Sequence, residues 1–198
     1  MAPMKLFQAQ PNGLPVIIMR DLRGADNRRM AIVAGDYLYH DPLTLHVYLV
    51  PVGYITDFAS IPRPASLLLP PFGLWTEGAV VHDFLYAVGE TGARQAADRI
   101  LHTAIREQGV GRITAAAIHA AVKLFGARAY GRETEWSGRF GDPRSGEPAP
   151  PPFARPATAV VAKGVPAADF ELAEVRRRIL EDYWSRPETA EHADGRVK

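Results

Sequence analysis

The run Val80-Val81-His82-Asp83-Phe84-Leu85-Tyr86 places an imidazole and a carboxylate side by side in a stretch that is otherwise apolar and reads as helix. Burying an ionised carboxylate without a partner is costly enough to unfold a marginal domain. Any fold built on this run must therefore bring a cation or a metal to the pair, or let the imidazole and carboxylate serve each other. Each choice implies a different chemistry.

The chain has 198 residues. That is room for one well-packed domain of roughly 100–150 residues and an appendage. Hydrophobic residues make up 47% and charged residues 23%, an ordinary globular balance. A net charge of +1 supplies no broad field to draw in nucleic acid. There is no cysteine, which removes disulfides and thiolate chemistry and leaves His, Asp and Glu as the strong metal ligands. No window approaches the roughly 18 apolar residues of a membrane span, and no apolar stretch follows a basic start. The expectation is a soluble protein without a signal peptide.

Residues 14–58 read as strands. Leu45, Val47 and Leu49 alternate with Thr44, His46 and Tyr48, the period-two pattern of a pleated strand. Asp41-Pro42 supplies a turn, so Asp36–His40 and Leu43–Val50 are expected to form a hairpin. Val16–Met19 and Met30–Val33 read as further short strands. From Gly73 the period becomes helical, predicting helices near Leu74–Val88, Ala93–Gln108 and Ile113–Tyr130. The breaks at Gly89–Gly92 and Gly109–Gly111 are short enough to make successive helices antiparallel. The third helix is rich in alanine, which suits a central packing position.

Residues 141–157 are proline-rich and read as a linker, because such a composition buries too little apolar surface to offset ordering. Residues 165–187 read as an amphipathic helix, with Leu172, Val175, Ile179 and Tyr183 at spacings of three and four and Arg176–Arg178 between them. Residues 188–198 read as a disordered tail. The expected architecture is α+β. A small antiparallel sheet packs on an antiparallel helical hairpin plus a third helix within residues 1–135, and the C-terminal helix is appended.

On a helix His82 and Tyr86 share a face, while Asp83 points elsewhere. Asp98 follows Gly92 by six residues and His82 precedes Gly89 by seven, so in an antiparallel pair both stand about 10 Å from the turn at ~1.5 Å rise per residue. A carboxylate on one imidazole nitrogen fixes the tautomer and leaves the other nitrogen able to take a proton from water, the arrangement of a general base. Asp83 is then available to a cation. The competing expectation is a structural pair held by Arg94 or Arg99, since ionisable clusters often serve stability alone.

Thr56-Asp57-Phe58-Ala59-Ser60-Ile61-Pro62-Arg63 follows the last strand. Local turn and capping chemistry accounts for Asp57 and Ser60 in one reading. In the other, the strand delivers Asp57 to a metal shared with Asp83, and Arg63 binds an anionic group of a substrate. His46 is expected at a surface or edge and His119 as a packed histidine. His102 lies four residues after Asp98, a spacing that permits joint metal ligation but is common by chance.

The ordered motifs Val52-Gly53-Tyr54-Ile55-Thr56-Asp57-Phe58-Ala59-Ser60-Ile61-Pro62-Arg63, His82-Asp83-Phe84-Leu85-Tyr86, Ala97-Asp98-Arg99 and Leu124-Phe125-Gly126-Ala127-Arg128-Ala129-Tyr130 resemble a domain-of-unknown-function family encoded by tailed phages and prophages (DUF1353). That resemblance implies a phage or prophage gene, with a product in the host cytoplasm or virion and other particle proteins as partners of the last helix. His82, Asp83, Tyr86 and Asp98 are also similar to the His-Asp-x-x-Tyr helix and orienting Asp of secreted calcium-dependent phospholipases. This second likeness implies His82 as base, Asp98 and Tyr86 as its support, and Ca2+ on Asp83. The disulfides and the glycine-rich calcium loop of those enzymes are missing from this chain. Two expectations result: a hydrolase acting on a lipid or cell-envelope ester, and a non-enzymatic phage structural or assembly protein.

Overall fold

A computed structural model describes residues 13–23, 29–58, 73–131, 141, 164–169, 171 and 174. The described elements are strands β1 (Val16–Arg23), β2 (Arg29–Val33), β3 (Tyr37–Asp41), β4 (His46–Val50), β5 (Ile55–Thr56) and β6 (Val165–Pro166), and helices α1 (Thr76–Val88), α2 (Arg94–Glu107) and α3 (Arg112–Phe125). The α+β class expected from the sequence is the one observed.

The strands form two three-stranded antiparallel sheets, ordered β1-β2-β5 and β3-β4-β6, where a single small sheet was expected. The chain passes from the first sheet to the second between β2 and β3 and returns after β4. There Gly53 adopts φ +89° and its N–H donates to Val33 O at 2.8 Å, which turns the chain out of one sheet and into the other. Only glycine takes this conformation without strain. Asp36 steadies the same corner by accepting from the Val52 amide at 3.0 Å.

The expected β3–β4 hairpin forms, in the register Tyr37↔Val50 through Asp41↔His46, and its turn is longer than the sequence pattern indicated. Leu45 belongs to that turn, with φ 57° and 54% exposure, and so does not share the buried face of Val47 and Leu49. Tyr48, on the opposite face, is buried as well. Alternation therefore understates the burial of β4, whose two faces are both covered.

Helix α1 is the centre of the molecule. Every residue from Gly78 to Val88 is buried, with α2 packed along one side and β4 and β5 on another. A helix apolar all round is stable only in such a position, and each fully buried Val, Leu or Phe contributes about 1.5–3 kcal/mol relative to exposure. Gly89, left-handed at φ 58°, ends the helix and donates to Leu85 O. A side chain on Gly89 would run into the backbone of Gly131. That close passage brings Tyr130 edge-on to Tyr86, with ring centroids 5.1 Å apart.

Helix α3 is peripheral, which corrects its assignment as a central packing helix. Ala115 and Ala121 are buried against α2, but Ala116, Ala117 and Ala120 face outward between Ile113 and Leu124, also exposed. At the other edge, Val165 and Pro166 pair with Val47 and His46 as a strand at the start of the range expected to be helical. Ala167–Asp169 follow as a single 3-10 turn, and apart from residues 171 and 174 the remainder of the expected C-terminal helix, nearly all of the linker and the tail lie outside the described residues.

Candidate functional site

Helices α1 and α2 meet as the predicted antiparallel pair, and the symmetry of their turn sets Asp98 opposite His82. Asp98 Oδ1 lies 3.2 Å from His82 Nε2. Tyr86, one turn beyond His82, donates its hydroxyl to the same Oδ1 at 2.5 Å. Arg94, one turn before Asp98, reaches Oδ2 at 3.4 Å. Both carboxylate oxygens are thus engaged, one from α1 and the other from α2 itself.

Burial pushes the Asp98 carboxyl up, but the hydrogen bonds from His82 and Tyr86 and the nearby positive charge outweigh it, and Asp98 sits below the usual carboxylate range. Burial dominates at His82, which is fully shielded from solvent and held below the ordinary imidazole value despite the pull of Asp98. The Tyr86 hydroxyl is raised by burial and by the adjoining carboxylate, so it remains a donor. The cluster is accordingly a neutral imidazole beside an anionic Asp98. An anion at Nε2 keeps the ring proton there. The buried Nδ1 is then an acceptor, and it has no hydrogen-bond partner among the described residues.

Asp83 serves a different contact. Its Oδ2 accepts from the Thr56 hydroxyl at 2.7 Å, and Thr56 Oγ1 in turn accepts from the Phe58 amide at 3.0 Å. The motif after β4 therefore meets α1 through Thr56, a residue that no spacing in the chain singled out as a partner of Asp83. Asp57 is half-buried beside it, while Phe58 is buried in the left-handed region at φ 55°. That conformation costs a non-glycine residue about 1 kcal/mol or more. Arg63 and Ser60 lie outside the described residues.

Arg99, named in the sequence as a partner for His82 or Asp83, instead pairs with Asp41 at 2.8 Å. Asp41 is fully buried, and it also accepts from the Leu43 amide at 3.0 Å and the Thr44 hydroxyl at 2.7 Å. Consecutive residues of α2 thus serve two sites, Asp98 toward α1 and Arg99 toward the β3–β4 turn. Asp41-Pro42-Leu43-Thr44 carried the signal for this, because an Asp followed by a hydroxyl residue marks a side-chain-closed turn. What the spacing could not show was the cation.

Two of the clefts on the described surface lie near these elements. One of ≈ 340 Å³ lies between β4 and the start of α2 and includes Thr44, His46, Tyr48 and Arg99. Another of ≈ 350 Å³ lies between β1 and the start of α1 and includes Val16, Leu74 and Glu77. Neither is lined by His82, Asp83 or Asp98.

Thr56, His82, Asp83, Tyr86 and Asp98 all lie within one stretch of the chain that is similar to a known family. Residues 31–122 match a family described as a protein of unknown function, DUF1353. The DUF1353 match begins in β2 and ends in α3, so it holds the whole His82 cluster and the Asp41–Arg99 pair. Strands β1 and β6 fall outside it. No curated protein and no solved structure matches the chain.

Proposed function

We propose that the DUF1353 unit is a hydrolase in which His82 is the general base, Asp98 fixes its tautomer and Tyr86 holds Asp98 in place. The observation that carries this reading is the buried Nδ1, an acceptor without a described partner on a ring whose other nitrogen is tied to an anion. A water at Nδ1 would lose its proton to the ring as its oxygen attacks an ester carbonyl. The ring would then return that proton to the departing alkoxide, giving an acid and an alcohol. The likeness of His82, Asp83, Tyr86 and Asp98 to the phospholipase arrangement favours a lipid or cell-envelope ester as substrate, and the phage resemblance suits an envelope target.

Calcium on Asp83 and Asp57 belongs to the same proposal. Calcium takes six to eight oxygens, and among the described residues no group of three or more His, Asp or Glu is placed to hold a metal. No step is therefore routed through it.

The test is release of fatty acid from phospholipid vesicles by the full chain, with and without millimolar calcium. A positioned base contributes roughly 10²- to 10⁴-fold, so His82→Gln is expected to lower the rate at least about a hundredfold while the variant remains folded. Equal rates for the two proteins, or no hydrolysis by either, would remove the hydrolase.

One observation favours a second reading, a phage structural or assembly protein in which the cluster only stabilises the helical hairpin. His82 is wholly buried and lines neither cleft. Under that reading, deleting residues 170–198, which leaves β6 intact, abolishes association with phage particles without unfolding the domain. Retained association would exclude a particle role for this segment.

A further inference from the structure

Away from the His82 cluster, His102 of α2 and His119 of α3 face each other across the second helical hairpin. Their ring centroids are 5.1 Å apart and their planes inclined by 36°. Both side chains are only partly covered, so solvent reaches them. Neither ring hydrogen-bonds to any described residue, in contrast to His46, which is held by Thr44 O, and His82, which is held by Asp98.

We propose that His102 and His119 together bind a divalent transition-metal ion of the zinc, nickel and copper class. The spacing fits. With metal–nitrogen bonds of about 2.0–2.1 Å and a near-tetrahedral angle, two coordinated imidazoles set their centroids roughly 5 Å apart. Imidazole selects these borderline ions over magnesium and calcium, which prefer oxygen. The ring must be neutral to coordinate. Burial and the neighbouring His102 hold His119 below the ordinary imidazole value, opposed by Asp98 and reinforced by Lys123 one turn further along α3.

Asp98 stands one turn before His102, but its oxygens are committed to His82, Tyr86 and Arg94, so it is not a ligand here. Among the described residues no third His, Asp or Glu completes the site. The ion would carry two protein ligands from two helices, with water at its other positions. Such a site clips α2 to α3 and leaves coordination positions open to an outside donor.

The proposal is tested by titrating zinc chloride and, separately, nickel chloride into the full chain by calorimetry at pH 7.5, with thermal melting in parallel. The expected result is about one ion bound per chain and a raised melting midpoint, by mass action on the native state. Binding should weaken at least tenfold in both His102→Ala and His119→Ala, remain unchanged in His46→Ala, and weaken as pH falls, because protons compete with the metal for its ligands. Magnesium should not bind. Far-ultraviolet circular dichroism establishes that each variant is folded, and His102→Gln and His119→Gln provide shape-preserving substitutes if an alanine variant is not. Absence of binding to the wild type, or binding that persists in the double variant, would mean a ring contact only and would overturn the proposal.

Discussion

The Tyr86 hydroxyl sits 2.5 Å from Asp98 Oδ1, so α1 fixes from two successive turns a carboxylate that belongs to α2. The same hydroxyl is what a side chain at Gly126 would strike first, with the Tyr86 ring carbons Cε1 and Cζ at 3.0 and 3.1 Å behind it. The residue after α3 is therefore kept small by the tyrosine that orients Asp98.

This contact predicts a measurable coupling. Tyr86→Phe removes one hydrogen bond to a charged acceptor and should cost about 1.5–3 kcal/mol. Gly126→Ala should cost about 1–3 kcal/mol by overpacking. In the double variant the missing hydroxyl relieves part of the clash, so the combined cost should fall short of the sum by at least about 0.5 kcal/mol. Urea denaturation of the four proteins measures it, and simple additivity would place the two residues out of contact.

The Asp41–Arg99 pair predicts an asymmetry. Asp41→Ala removes a fully buried carboxylate together with the Leu43 and Thr44 contacts that close the turn, whereas Arg99→Ala leaves those two in place. Breaking a buried pair costs about 3–5 kcal/mol. With Arg99 one-third exposed, its loss should lie at or below the lower end, and loss of Asp41 should exceed it. Chemical denaturation curves that rank the two the other way would contradict this assignment.

The architecture and the His82–Asp98 pairing were both legible in the sequence, for the same reason. Helical periodicity and short glycine breaks dictate antiparallel neighbours, and distance from the turn then fixes which residues meet. Thr56 and Arg99 were not legible as partners of Asp83 and Asp41, because a strand-to-helix contact depends on how the sheets sit against α1, which no local spacing encodes. The division into two sheets was hidden at Gly53, where the backbone conformation rather than any side-chain pattern redirects the chain. The exposed alanines of α3 were misplaced because alanine fits a close helix contact and an open surface equally well.

Acid should destabilise the protein in two stages. Below about pH 6.5 the unfolded chain takes up a proton at His82 that the native state resists, so stability present above that value falls as pH drops. Asp98, also depressed, contributes stability that is complete above about pH 4 and is lost as pH falls further through its lowered folded value. His119 is shifted in the same direction as His82 and adds to the first stage. Melting midpoints between pH 4 and 8 should therefore decline from near pH 6.5, and His82→Gln should flatten that limb without abolishing it. An unchanged limb in the variant would mean that His82 is not the group responsible.

The hydrolase reading and the acid response both depend on the state of the His82 ring, and nitrogen NMR of 15N-histidine-labelled protein reads it directly. At pH 7 His82 should be neutral with its proton on Nε2 and a bare Nδ1, and its ring should resist protonation as the pH falls below the ordinary imidazole value. A His82 resonance of the Nδ1-protonated tautomer, or of an imidazolium at pH 7, would contradict it.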